Sequence, residues 1–129
     1  MHKILVVEDS ADSFNLVKRA IDDFAILDWA KSLTEALKIL KKRSFDLILL
    51  DVTLPDGDGF RLCSLLQTDE KLREIPVIFL TALNSISDKV MGLSMGADDF
   101  ISKPFDPQEF KARLDSRLKK NEHSILSHH

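Results

Sequence analysis

The chain reads as an α/β protein: a doubly wound, five-stranded parallel sheet with helices on both faces. Three observations carry that prediction. Short apolar runs alternate with stretches of helical periodicity, five times over. The run Leu47-Ile48-Leu49-Leu50 shows no polar alternation, the pattern of a strand buried on both faces. It stops on Asp51 and opens into Val-Thr-Leu-Pro-Asp-Gly-Asp-Gly, a segment dense in turn formers.

The bulk numbers fit that class. A chain of 129 residues makes one domain with a real core. Apolar content of 44% and charged content of 30% are ordinary for a globular protein. A net charge of −3 argues against a surface built to grip nucleic acid directly. Cys63 is the single cysteine, which excludes an internal disulfide and a multi-cysteine metal site. It lies among Leu62, Leu65 and Leu66 and reads as a small core residue. Ile4 to Val7 is too short for a signal peptide or a membrane span, so the protein is read as cytoplasmic.

In order, residues 3–8 form a first strand ending in the acidic pair Glu8-Asp9. A helix follows over about residues 11–23, with Phe14, Val17 and Ile21 on one face and Ser10 or Asp12 as cap. Residues 25–30 make a weaker strand, placed at an edge because Asp28 interrupts it; Trp29 within it reads as a packing residue. Ser32-Leu-Thr-Glu35 predicts a capping box opening a helix to about Lys42. After the central strand, residues 59–68 read as a third helix, and residues 77–81 as a fourth strand. Residues 85–95 are a poorer helix, since Gly92 in its interior costs about 1 kcal/mol relative to Ala. Gly96 reads as its C-terminal cap. Residues 99–102 are the last strand, and Asp106-Pro107 opens a final helix to about Lys120. Residues 1–120 are the expected domain, with a flexible tail over 121–129. His123, His128 and His129 in that tail read as an expression remnant or a disordered end rather than a metal cluster.

Ligands of open α/β sheets bind beyond the carboxyl ends of the strands. There the first strand offers Glu8 and Asp9, the third Asp51, the fourth Thr81 and the fifth Lys103. Three carboxylates in one pocket repel one another, and a divalent cation resolves the conflict. Oxygen donors without Cys or His suit Mg²⁺, with Mn²⁺ as the alternative. Lys103 and the metal could then neutralise a phosphoryl group, Thr81 could hydrogen-bond one of its oxygens, and Asp51 is the candidate nucleophile. Singly, Asp9 could be a helix cap, Thr81 a strand residue and Lys103 a solvated charge; together they form a matched set.

These residues carry a resemblance. Val6-Val-Glu-Asp9, Asp51 with Pro55 and Gly59, Thr81-Ala82, and Gly96-Ala-Asp-Asp-Phe-Ile-Ser-Lys-Pro-Phe105 closely resemble the receiver domains of two-component response regulators, of the chemotaxis-regulator kind, over about residues 2–120. The resemblance implies a flavodoxin-like strand order, 2-1-3-4-5. It implies that Asp51 accepts a phosphoryl group from phosphohistidine on a sensor histidine kinase or phosphotransfer protein. Glu8, Asp9, Asp51 and the backbone carbonyl of Thr53 match the Mg²⁺ ligands, and Thr81 with Lys103 matches the pair that reads the phosphoryl group. Phe100 matches the aromatic switch whose ring moves inward; lacking the hydroxyl of tyrosine, it signals by packing alone. Thr53 and Leu83 stand at the two positions that tune dephosphorylation. Neither orients a water, which implies a persistent phosphorylated form. Such a domain catalyses its own phosphorylation and slow dephosphorylation without turning over external substrates.

The signalling face implied is the fourth helix, fifth strand and fifth helix, a surface compatible with a homodimer. Lys89, Asp98, Asp99, Arg113 and Arg117 supply either cross-dimer ion pairs there or a solvated charged face. Asp115 stands where a basic residue would suit the dimer better. Three other readings compete. An FMN-binding electron carrier is disfavoured because Glu-Asp-Ser-Ala-Asp offers anions where a flavin phosphate needs amides and hydroxyls. An aspartyl-phosphate phosphatase needs a second acid two residues after Asp51, where Thr53 stands. An interaction module that is never phosphorylated would not need the full polar set. A stand-alone domain and a piece of a longer regulator are both compatible with the sequence.

Overall fold

The computed structural model describes residues 1–127, with side chains through residue 119. The five apolar runs become β1 (His2–Val7), β2 (Ala25–Ala30), β3 (Leu47–Leu50), β4 (Val77–Thr81) and β5 (Asp99–Ser102). They form one sheet in the order β2-β1-β3-β4-β5, every neighbouring pair parallel. This is the expected doubly wound order, with the sequence reversing direction between β1 and β3. The Asp28-bearing strand is an edge, as its polarity requires.

The helices are α1 (Ala11–Ile21), α2 (Leu33–Lys42), α3 (Gly59–Gln67), α4 (Ile86–Ser94) and α5 (Pro107–Ser127). Strand alternation sorts the core into two layers. Leu5, Val7, Ile48, Leu50 and Phe79 face α2 and α3, while Ile4, Val6, Leu47, Leu49 and Ile78 face α1 and α5. All four residues of β3 are essentially sealed from solvent. Burying each such side chain contributes about 1.5–3 kcal/mol. Among the described residues no helix is long and apolar enough to cross a membrane.

Each helix starts where a short polar side chain meets it. Ser10, Ser32, Asp58 and Ser85 each accept a hydrogen bond from a backbone N–H three residues on, and Asp106 does the same from Glu109 N. The box at Ser32 is shifted: Glu35 reaches back to the N–H of Lys31 rather than to that of Ser32. Gly96, at φ +105°, ends α4 as expected.

Three features depart from the sequence reading. The loop after β3 carries a small antiparallel ladder of Thr53–Leu54 with Gly57–Asp58. The polar link before β4 contains a 3₁₀ turn, Leu72–Glu74. α5 continues to Ser127, past the expected end near residue 120. The side chains of the expected tail, His123 included, lie outside the described residues, as do His128 and His129 altogether.

Candidate functional site

The parallel ladder runs one residue beyond three of the strands, and those residues build the site. Glu8 N–H donates to Ala30 O at 2.9 Å, Asp51 N–H to Val7 O at 3.0 Å, and Lys103 N–H to Thr81 O at 2.8 Å. Glu8, Asp51 and Lys103 are thereby held in register at one rim of the sheet. The Lys103–Pro104 peptide bond that follows is cis. α3 comes down directly over the rim: a Cβ on Gly59 would lie 2.2 Å from the Asp51 carbonyl oxygen, so only glycine permits this approach.

The centre of the site is the Lys103 ammonium. It donates to Glu8 Oε2 at 2.6 Å, to Asp51 Oδ2 at 3.1 Å and to Ser13 Oγ at 3.1 Å. Glu8 and Asp51 are 4% and 8% exposed, so this is a largely desolvated cluster of two carboxylates and one cation. Their other oxygens are held locally, Glu8 Oε1 by Ser10 N–H and Asp51 Oδ1 by Thr53 N–H. Burial raises the Glu8 carboxyl above its ordinary value; Lys103 opposes this, and the Asp51 carboxylate adds to the rise. Burial alone would pull Lys103 down, but Glu8 and Asp51 together outweigh it and the net shift is upward. For Glu8 burial is the main cause and the Asp51 charge adds to it, whereas for Lys103 the two carboxylates decide the net direction.

Thr81 is buried beside this cluster, and its hydroxyl oxygen accepts from Leu83 N–H at 3.4 Å. Thr53 is exposed in the loop and Leu83 partly so. Phe100 is already packed inward, its ring 5.8 Å from that of Phe79. A Cβ on Gly92 would come within 2.9 Å of the Phe100 ring and 3.0 Å of the Phe79 ring. Gly92 is therefore required by the close approach of α4 to these rings, beyond being a weak helix former.

Asp9 is exposed, and the Lys103 cluster does not draw it in. Among the described residues no three acidic, His or Cys side chains gather in an arrangement that could hold a metal ion. The donor chemistry nevertheless suits a hard divalent cation. Glu8 and Asp51 already converge on one positive charge, and Asp9 follows at the mouth of the same rim.

Other sequence expectations are resolved by contacts within the chain. The Trp29 indole N–H donates to the Glu8 backbone carbonyl, and its ring stacks on Phe14 at 4.4 Å; it braces the first strand's end. Cys63 is buried, its thiol pushed up to about 11 by burial and then by the Asp98 carboxylate. Arg113 and Asp99, two of the residues assigned to cross-dimer pairing, are bonded to each other, and Arg113 also reaches Phe100 O. Asp98 accepts from Val77 N–H, and Asp115 pairs with Lys119 one turn along α5.

Ser13 and Asp56 were not singled out in the sequence. Ser13 lies four residues after Asp9, one helical turn along α1, and that spacing was the available signal. Asp56 accepts from Leu33 N–H, Thr34 N–H and the Thr34 hydroxyl, tying the loop after Asp51 to the start of α2. A cavity of about 760 Å³ opens beside Lys103, lined by Ser13, Leu16, Arg19, Ala82 and Phe105 among others.

Comparison with known proteins gives the family and the fold. The family model for the response regulator receiver domain matches residues 4–115. The chain is 40% identical to a probable transcriptional regulator ycf27 of Cyanidium caldarium, over 92% of this chain and 47% of the relative. It is 38% identical to the DNA-binding dual master transcriptional regulator RpaA of Synechocystis, over 95% of this chain and 51% of that protein. The chain thus spans about half the length of these curated relatives. Among solved structures, the non-phosphorylated HemR receiver domain of Leptospira biflexa superposes with a TM-score of 0.81 at 37% identity, covering 92% of this chain and 94% of that one.

Proposed function

The chain belongs to the response regulator receiver domain family, and from that premise we propose that Asp51 is its phosphoacceptor, charged by phosphohistidine on a sensor histidine kinase or phosphotransfer protein. The observation that carries this is the Lys103 ammonium held between Glu8 Oε2 and Asp51 Oδ2 at the strand ends. A carboxylate hydrogen-bonded to a fixed cation at the strand ends is placed as a nucleophile, and the same cation is placed to meet the incoming phosphoryl oxygens.

In this reading an Asp51 oxygen attacks phosphorus as the phosphorus–nitrogen bond of the donor breaks, and the imidazole leaves. Lys103 lets go of Asp51 and pairs with a phosphoryl oxygen, and the Thr81 hydroxyl donates to another. The cavity beside Lys103 gives a donor side chain its route to the rim. Glu8, Asp9, Asp51 and the Thr53 carbonyl would hold Mg²⁺, or Mn²⁺, which when bound supplies positive charge against the phosphoryl oxygens. Phe100, packed between β4 and α4, transmits the movement of Thr81 by packing to the face made by α4, β5 and α5. That face controls an output or a partner, a second copy of the chain included. The Arg113–Asp99 pair must open before either residue can serve such a dimer.

We assign the receiver unit to residues 1–120, acting in the cytoplasm. The net charge of −3 supports no direct nucleic-acid contact by this unit; the DNA binding in the name of the RpaA relative belongs to a protein matched over 51% of its length. Incubation with Mg²⁺ and phosphoramidate, read by intact mass, tests the centre of the proposal. A gain of one phosphate that is lost in Asp51→Asn is expected; an unmodified parent chain would overturn it.

A further inference from the structure

An ammonium has three N–H bonds, and Lys103 has three acceptors: Glu8 Oε2, Asp51 Oδ2 and Ser13 Oγ. The acceptors are unlike. Two are buried carboxylates, and under the function proposed above both change partners: Asp51 takes up the phosphoryl group and Glu8 turns to the cation. The third is a neutral hydroxyl that does neither. Ser13 is also the best anchored of the three relative to this exchange. It lies in the first turn of α1, and its backbone N–H is fixed by the Ser10 cap at 3.2 Å, independently of its own side chain.

A lysine without a constant acceptor has four carbons of freedom to lose each time it is needed. Ordering such a side chain can cost about tenfold or more in population. A hydroxyl that stays bonded to Nζ throughout removes most of that search. We propose that Ser13 is a positioning residue for phosphoryl transfer: it keeps the Lys103 ammonium at the rim while Glu8 and Asp51 exchange partners. This rests on the reading of Asp51 as phosphoacceptor.

The test compares the full chain with Ser13→Ala and Ser13→Thr. Two quantities are read: the rate of phosphorylation by phosphoramidate in Mg²⁺, from intact mass, and the affinity for beryllofluoride with Mg²⁺, by calorimetry. Ser13→Ala should lower both by about five- to tenfold, part of the ordering cost that the constant hydroxyl partner otherwise removes. Ser13→Thr, which keeps the hydroxyl, should restore both to within about twofold of the parent. The melting temperature of Ser13→Ala should fall by only a few degrees: the bond to Lys103 is lost, the better helix propensity of alanine recovers part of that, and the Ser10 cap is untouched. Equal rates and affinities in the parent and Ser13→Ala overturn the proposal. So does a loss that Ser13→Thr leaves uncorrected, or a fall in melting temperature of more than about 8 °C, since either marks a structural role. A parent chain that takes no phosphate fails earlier and differently: it removes the phosphoacceptor reading itself.

Discussion

Replacing Gly92 by alanine should destabilise this protein, the reverse of what that change does in most helices. Inside a helix, glycine to alanine normally gains about 1 kcal/mol. At Gly92 the new methyl would sit 2.9 Å from Phe100 Cδ2 and 3.0 Å from Phe79 Cδ2. Carbon atoms prefer separations of about 3.5–4.0 Å, so the rings or α4 must retreat by about 0.5–1 Å. Phe79 is fully buried and Phe100 is 6% exposed; the two rings touch each other, and Phe79 also touches Phe60. There is little room to yield in an interior packed like an organic crystal. Overpacking of this kind costs about 1–3 kcal/mol. Set against the helix gain, the net is a destabilisation of up to about 2 kcal/mol, with about 1 kcal/mol the central expectation. Urea unfolding monitored by circular dichroism reads it as a lower midpoint at unchanged slope. The same change in a Phe100→Leu background should cost less, because the nearer clash is gone. A Gly92→Ala chain that is stabilised by about 1 kcal/mol in the parent background would refute the packing argument.

Three further predictions come from the rim. Lys103 has a raised pKa in the folded chain, so its contribution to stability is complete below its ordinary value of 10.5 and is lost as pH rises through the folded value. The gap in melting temperature between the parent and Lys103→Met should therefore close at alkaline pH, and a gap that stays constant would count against the pairing. Asp51→Asn removes one of two carboxylates crowded on one ammonium; without divalent metal, its melting temperature should equal or exceed the parent's, and a clear loss would contradict the charge excess. Leu83→Ala and Thr53→Asn should each speed decay of the phosphorylated form, followed by intact mass after donor removal; decay no faster than the parent's leaves the persistence argument without support.

The sequence exposed the strands because their signal is local. Residues 25–30, 77–81 and 99–102 are strands over those same bounds: a short apolar run, even one interrupted by Asp28 or flanked by Asp99 and Ser102, has few other destinations in a chain of this size. The rim residues were legible for the same reason, each standing one step past such a run or closing it. The end of α5 was not. Its apolar stripe of Phe110, Leu114 and Leu118 packs in the layer under the sheet, and periodicity reports a buried face rather than helical backbone. The role of Gly92 was half visible: its helix penalty is local, but the rings that require it lie on β4 and β5. Ser13 reaches Lys103 across 90 residues of chain, and Asp56 reaches Thr34 across 22, so neither contact has a local signature. Charges were the least legible. Arg113 and Asp99 looked free to serve a partner, and only the packing of α5 on β5 shows that they hold each other.

The arrangement at the rim is not one that stability alone would select. Burying two carboxylates on one ammonium leaves a negative charge unbalanced where water is largely excluded, and desolvation of charge is costly even when the pairing is good. Glu8 records this in its raised pKa, with Asp51 among the causes. A leucine at either acidic position would extend the apolar layer already formed by Val6 and Leu49. Instead the backbone ladder is carried one residue past β1, β3 and β4–β5 so that these polar groups are fixed in register. Under the proposed function, the unmet negative charge would give the site affinity for a further cation, and the single ammonium, shared and therefore releasable, would let it turn to an incoming anion. Strict balance would remove both properties. The excess of one carboxylate is thus the physical feature that the proposed function would use and that an ordinary buried ion pair lacks.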